Sequence, residues 1–283
     1  MHSPVPNTGS EYQTQQNNFP FNPSTDFNSQ NDLAADVLLS SHTCIREHGA
    51  IIRSATDKKK LALIFTGGDF SDGGSTIRKV LKEEKIPGSF FFTGDFYRNP
   101  SNSNLIFGLI TEGHYLGPHS DKHILYCSWK DREVTLITKQ EFVKDIQDNY
   151  AVMARFGIER KKAVYFVPPF EWHNNKIADW ARELGLTLIN FTPGTLSTAD
   201  YTTPDMANYK TSDLIYSSIV DYENKYPSGL NGFILLLHIG THPDRKDKFY
   251  GQLANLIHYL IQRDYTFLRV DHLLKNCEWR TAF

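Results

Sequence analysis

Cysteine is scarce in this chain: Cys44, Cys127 and Cys277 are scattered and odd in number. That pattern excludes a disulfide framework or a Cys-x-x-Cys zinc site and leaves the redox compartment undecided. An excess of one charge is also lacking. Lys and Arg number 30 against 32 Asp and Glu, a net charge of -2, so no basic footprint for nucleic acid stands out. No apolar run reaches the roughly 18–20 residues that span a bilayer. Lys and Arg are absent before Arg46, and the N-terminal tract has no apolar core, so it does not read as a signal peptide. Either the protein is cytoplasmic or a targeting segment lies outside this chain.

What is present is apolar and aromatic. Hydrophobic residues make up 40% of 283, with 14 Tyr and 19 Phe, enough for a sizeable core and suited to packing against sugar rings. The length allows two domains, or one α/β barrel. Composition divides the chain unevenly. From Met1 to about Asn31 it is rich in Asn, Gln, Ser, Thr and Pro, too polar to offset its own ordering entropy. Residues 1–48 therefore read as a polar tail or linker, with a short helix at Leu33–Leu39 capped by Asn31 or Asp32. Residues 49–283 form the body.

The body has a strand–helix rhythm. Strand-like runs fall at Leu61–Phe65, Ser89–Phe92, Ala163–Val167, Leu186–Phe191, Phe233–Leu237 and Thr266–Val270. Helical patterns fall at Thr76–Glu84, Asn104–Glu112, Lys139–Arg155, Lys176–Leu184, Ser212–Asn224 and Phe249–Gln262. Nearly continuous apolar strands separated by helices predict parallel strands covered on both faces, in a sheet or barrel.

Such folds bind ligands at the carboxyl ends of their strands, and polar residues follow these strands. Asp69 and Asp72 follow the first, Asp95 the second and His119 and His123 the run Tyr115–Gly117. Glu171, Trp172 and His173 follow Ala163–Val167, and His238 closes Phe233–Leu237. The four-residue spacing of His119 and His123 is about one helical turn, which lets both imidazoles face one ion. With Asp69 they would form the two-His, one-carboxylate set of a catalytic divalent metal. His238 reads either as a packed core histidine or as a general acid.

These residues resemble a known family. Gly113–His123, with His119-Ser120-Asp121-Lys122-His123, is similar to the His-Ser/Thr-x-x-His motif of NodB-type polysaccharide deacetylases, carbohydrate esterase family 4. Pro168-Pro169-Phe170 resembles that family's Arg-x-Pro-Tyr/Phe motif, and Leu236-Leu237-His238 its late Leu-x-His motif. Ser89–Gly94 matches its usual second strand. The resemblance implies a distorted (β/α)7-type barrel and removal of N- or O-acetyl groups from a glycan, in an extracytoplasmic setting. It further implies a divalent metal (Zn, Co or Ni) on His119 and His123, His238 as general acid and the Phe170 N–H as oxyanion donor. An Asp that orients the acidic His would correspond to Asp200.

The pattern breaks at two places. The family's Thr-Phe-Asp-Asp aligns with Ile64-Phe65-Thr66-Gly67, and its base-orienting Arg with Val167. The two losses are consistent, because an Arg stripped of its carboxylate partner is a costly unpaired charge. Three readings follow. A Gly67-Gly68 bulge carries Asp69 inward as metal ligand; or Asp69 is the base and metal binding is weak; or the barrel only binds glycan. A second acid is wanted as base, and Asp72, Asp95 and Glu171 are the candidates, Glu171 favoured. Trp172 reads as a sugar platform or a packed aromatic. Thr195, Asp200 and Tyr201, in a long polar loop, are candidate substrate contacts.

Overall fold

The apolar run around Leu61–Phe65 becomes the longest strand of the computed structural model, which describes residues 44–277. The helix expected at Leu33–Leu39 and the tail as far as Thr43 lie outside the described residues.

A hairpin of β1 (Ile45–Glu47) and β2 (Ala50–Arg53) enters β3 (Lys60–Gly67). Then come α1 (Gly74–Glu83), β4 (Ser89–Phe92), α2 (Gly94–Arg98), α3 (Ser103–Thr111) and β5 (Tyr115–Pro118). The long α4 (Lys139–Met153) opens on a capping box between Thr138 and Glu141, which satisfies N–H groups the first turn leaves open. The chain continues through β6 (Tyr165–Phe166), α5 (Asn175–Glu183), β7 (Thr187–Leu188) and α6 (Ser212–Lys225). It ends with β8 (Ile234–His238), α7 (Leu253–Gln262), β9 (Thr266–Phe267) and α8 (Val270–Leu273).

The central strands are parallel in the order β5-β4-β3-β8, with β9 also on β3. The ring continues beyond this sheet. The Val167 N–H donates to Pro118 O at 3.4 Å, β6 pairs β7, Ile51 bridges Ile189, and Arg53 bridges Phe233 at the entry to β8. Thus the expected distorted barrel closes, with β2 filling a gap by single bridges. The strands expected at Ala163–Val167 and Leu186–Phe191 shrink to two residues each, because bridges and side-chain bonds replace a regular ladder there.

Strand alternation sorts the core. Leu61, Leu63, Phe65, Phe90 and Phe92 face outward against the helices. Ala62, Ile64, Phe91, Tyr165, Ile189, Ile234 and Leu236 fill the barrel. Phe90, Phe91 and Phe92 are all fully buried, and losing one such ring costs about 3–5 kcal/mol. The inner layer leaves no room at Gly117, where a Cβ would lie 2.6 Å from Phe91 and 2.7 Å from the Tyr165 carbonyl.

Two expectations are revised. One disulfide does form, Cys44–Cys277, across 233 residues of sequence; scattered spacing conceals a pair that only the fold brings together. Arg46 supports it by donating to Cys277 O at 2.6 Å. The strand β1 lies on the tail side of the boundary drawn at Gly49, which falls in the hairpin turn.

Candidate active site at the carboxyl ends of the strands

The inward positions continue past the last apolar layer. After Ala62 and Ile64 comes Thr66, after Ile234 and Leu236 comes His238, and the two are Cα partners across β3 and β8. His119 follows β5 by the same alternation, and Val167 follows β6. Thr66 is 2% exposed, and its hydroxyl has no hydrogen-bond partner among the described residues.

His238 is fixed by Asp200. Its Nδ1–H donates to Asp200 Oδ1 at 2.6 Å, and its backbone N–H donates to Oδ2 at 2.9 Å. Burial works to lower the His238 pKa, but the charge and hydrogen bond of Asp200 overcome it and the net shift is upward. Asp200 sits in a helical turn at Ser197–Tyr201. The segment after it is pinned by Arg245, wholly buried, which donates to Thr202 O at 2.7 Å and Lys210 O at 3.0 Å. The Tyr201 ring lies 5.1 Å from that of His238.

Glu171 joins this group electrostatically. Burial pushes its carboxyl up to about 7, with His238 opposing the shift and Asp200 reinforcing it. It follows Phe170 in an unusual backbone, φ 59° and then 53°. Two successive left-handed non-glycine residues cost of order 1–3 kcal/mol each, and such strain concentrates at functional sites.

His119 and His123 meet, with ring centroids 4.9 Å apart, though not through the helical turn their spacing suggested. Ser120 and His123 have φ 71° and 52°, and the segment is an irregular loop held by α4. The Asp145 carboxylate accepts from Ser120 Oγ and the Asp121 N–H, both at 3.0 Å, and from the Tyr126 hydroxyl at 2.6 Å. Asn149, one turn later, accepts the His119 N–H at 3.0 Å and donates to Phe92 O at 3.3 Å. His119 Nδ1–H donates to Val167 O at 2.8 Å, which directs Nε2 away from that carbonyl. Burial holds both imidazoles neutral, His119 down to about 4 and His123 well below its ordinary value.

The carboxylate expected to join them does not. Strand β3 runs in register to Gly67 opposite Phe92, and neither Gly67 nor Gly68 adopts a positive φ. The expected bulge is absent, and Asp69 is exposed beyond the strand end. Its pKa is raised by partial burial and by Asp95. Among the described residues, no group of three or more His, Cys, Asp or Glu is gathered to hold a metal. The histidines supply two donors, one short of a three-ligand catalytic set, so the residues present do not fit an Asp-His-His metal.

The remaining candidates have other partners. Asp72 accepts from the Thr241 N–H at 2.8 Å, Lys248 at 2.9 Å and the Tyr250 hydroxyl at 3.0 Å. Asp95 pairs with Arg98 at 3.0 Å and with Lys122. Thr195, 2% exposed, accepts from the Ser197 N–H at 3.4 Å and sits inside its own loop. The Phe170 N–H donates to His123 Nε2 at 3.4 Å, so the expected oxyanion donor is turned toward an imidazole. Trp172 is buried, with its indole N–H on Ser128 O at 3.2 Å.

Sequence reasoning missed Asp145, Asn149 and Arg245. The first two carry a readable signal: polar residues four apart beside Ile146 on the core face of an otherwise amphipathic helix. Arg245 carries none.

Comparison with known proteins agrees with this architecture. The family model described as polysaccharide deacetylase matches residues 53–189. A peptidoglycan-N-acetylglucosamine deacetylase of Bacillus cereus is 24% identical over 219 residues, covering 77% of this chain and 90% of that protein. A carbohydrate esterase family 4 pseudoenzyme from Bacillus anthracis superposes with a TM-score of 0.63 at 17% identity, over 81% of this chain and 70% of the other. A family 4 acetyl xylan esterase from Clostridium thermocellum, solved with a cobalt ion, gives 0.59 at 20% identity, over 77% and 91%. Residues 53–189 thus match the polysaccharide deacetylase family, and the chain resembles its NodB-type members with the first and third motifs altered.

Proposed function

We propose that the chain removes acetyl groups from a glycan by hydrolysis, with His238 as general acid and Glu171 as general base. The observation that carries the reading is the His238–Asp200 pair, 2.6 Å apart at Nδ1. A buried carboxylate on Nδ1 fixes the tautomer and favours the imidazolium, leaving the Nε2 proton for the departing amine or alcohol. Glu171, with a pKa near 7, is basic enough at neutral pH to take a proton from the attacking water. The bond broken is that between the acetyl carbonyl carbon and the glycan nitrogen or oxygen; water supplies the acetate oxygen.

The metal-activated water of the resemblance is not part of this reading, because the carboxylate ligand is missing from the histidine pair. His119 and His123 are neutral hydrogen-bonding groups beside the reacting centre. An extracytoplasmic setting is supported by the Cys44–Cys277 disulfide, a bond that persists in oxidising compartments. Among the described residues no helix is long and apolar enough to cross a membrane.

A second reading, a non-catalytic carbohydrate-binding barrel, is favoured by Gly67 and Val167 at the altered positions. Acetate release from acetylated chitooligosaccharides and acetylated xylan, measured alongside binding of the same glycans, separates the two. Release supports the hydrolase; binding with no release supports the binder.

A further inference from the structure

Glu171 leaves the main chain from a strained turn. Phe170 and Glu171 both hold positive φ, 59° and 53°, and such a turn persists only where the surrounding contacts over-determine it. Within the segment, the Glu171 N–H donates to Pro168 O at 3.1 Å and the Trp172 N–H to Pro169 O at 3.2 Å. The Trp172 indole N–H anchors its far side on Ser128 O at 3.2 Å. From across the barrel rim, the Asn190 side-chain amide donates to Glu171 O at 2.6 Å.

Asn190 is itself firmly placed. It follows β7 at the carboxyl end of the strand, where its backbone N–H donates to Ile51 O at 2.9 Å. Its side-chain oxygen accepts the Phe191 N–H at 2.9 Å, which leaves the amide nitrogen for the Glu171 carbonyl. The residue is 7% exposed, so bulk water does not replace a donor lost here. The Glu171 carboxylate, by contrast, accepts no hydrogen bond among the described residues. Its aim is therefore set by the backbone it leaves, and a carboxylate left open in this way is able to accept a proton from water.

We propose that Asn190 is the positioning residue for Glu171: its amide fixes the peptide plane after Glu171 and so aims the carboxylate at the reacting centre. This rests on the hydrolase reading above and deepens it by naming what holds the base. The titratable groups acting on Glu171 are His238 on β8 and Asp200 on the Ser197–Tyr201 turn. The Tyr201 phenol is coupled to it in return, and His123, held neutral, meets the segment at the Phe170 N–H. Asn190 carries no charge, so its loss acts on Glu171 through geometry rather than through a field. A turn released from this bond relaxes toward ordinary backbone and carries the carboxylate into water, which weakens the burial that raises its pKa.

The test follows the full chain by the pH dependence of acetate release from acetylated chitooligosaccharides and by ¹³C NMR titration of the Glu171 carboxyl, its resonance identified by its loss in Glu171→Gln. In the wild type the carboxyl titrates near pH 7. In Asn190→Ala its pKa is expected to fall toward the ordinary value of about 4.3, with the acid limb of the rate profile moving down alongside. There kcat drops about 10²-fold while KM is little changed. Asn190→Leu refills the volume without the donor and is expected to give the same shifts, which separates the lost bond from lost packing. A lower Tm in both variants with the Glu171 titration unmoved overturns the proposal and marks Asn190 as a structural residue. No acetate from any acetylated glycan, in a wild type whose Glu171 titration the variants do shift, overturns the hydrolase reading and leaves Asn190 as the group that places Glu171.

Discussion

Asp200 holds His238 at two points, side chain and backbone, with Oδ1 on Nδ1 at 2.6 Å and Oδ2 on the peptide N–H at 2.9 Å. Rotating the imidazole breaks the Nδ1 bond, while the backbone bond keeps the Asp200 carboxylate in place beside the ring. Asp200→Asn removes the charge that favours the imidazolium while nearly preserving shape. We expect turnover to fall about 10²–10⁴-fold, with glycan binding largely retained. Rates and affinities of the two proteins check this; a loss in affinity alone would contradict it.

The pH profile follows from the two shifted groups. Glu171 must be deprotonated to act as base, so the rate climbs through about pH 7, its raised pKa. His238 must be protonated to act as acid, so the rate declines above its own raised pKa. The profile is a bell. In Asp200→Asn the His238 pKa drops and the alkaline limb moves to lower pH, whereas Glu171→Gln abolishes the acid limb with most of the rate. An unmoved alkaline limb in Asp200→Asn would count against His238 as the acid.

Asn149 supports the histidine loop from beneath. Asn149→Ala leaves the buried His119 N–H without its acceptor, at a cost of about 1–3 kcal/mol. Denaturant unfolding reads that loss, and hydrogen exchange at His119 should accelerate more than exchange in α7. Uniform acceleration would mean that Asn149 acts only on global stability.

Restoring the family residue at position 67 should not restore a metal site. A Cβ at Gly67 would lie 2.6 Å from Ile239 and 2.9 Å from Phe92, on the outward face of β3 rather than beside His119. Gly67→Asp is expected to lose about 1–3 kcal/mol through overpacking and to gain no bound Zn²⁺. Stoichiometric zinc in this variant, measured by elemental analysis, would show that the strand rearranges.

The Cys44–Cys277 bond closes nearly the whole chain into one loop. Cys44→Ser should lower unfolding stability by about 2–5 kcal/mol, and dithiothreitol should lower the wild type's Tm but not the variant's. An identical Tm with and without reductant would show that the bridge adds nothing.

The sequence carries the barrel and much of the site. Continuous apolar strands such as Leu61–Phe65 reveal their type, since a strand buried on both faces admits little else. His238 and Asp200 were legible together only through the family resemblance, because 38 residues of chain separate them. Asp69 misled because two glycines permit a bulge without requiring one; the β3–β4 ladder decided against it. The Cys44–Cys277 pair and the Asp145–Ser120 bond depend on tertiary contacts that leave no local pattern.

The central claim is that His238 protonates a leaving glycan at this site. The measurement that tests it most directly is acetate release from acetylated chitooligosaccharides and xylan by the wild type and His238→Asn. The account predicts release by the wild type and a loss of at least about 10²-fold in the variant, with binding intact. Glycan binding by both without acetate, or equal release from both, would contradict it.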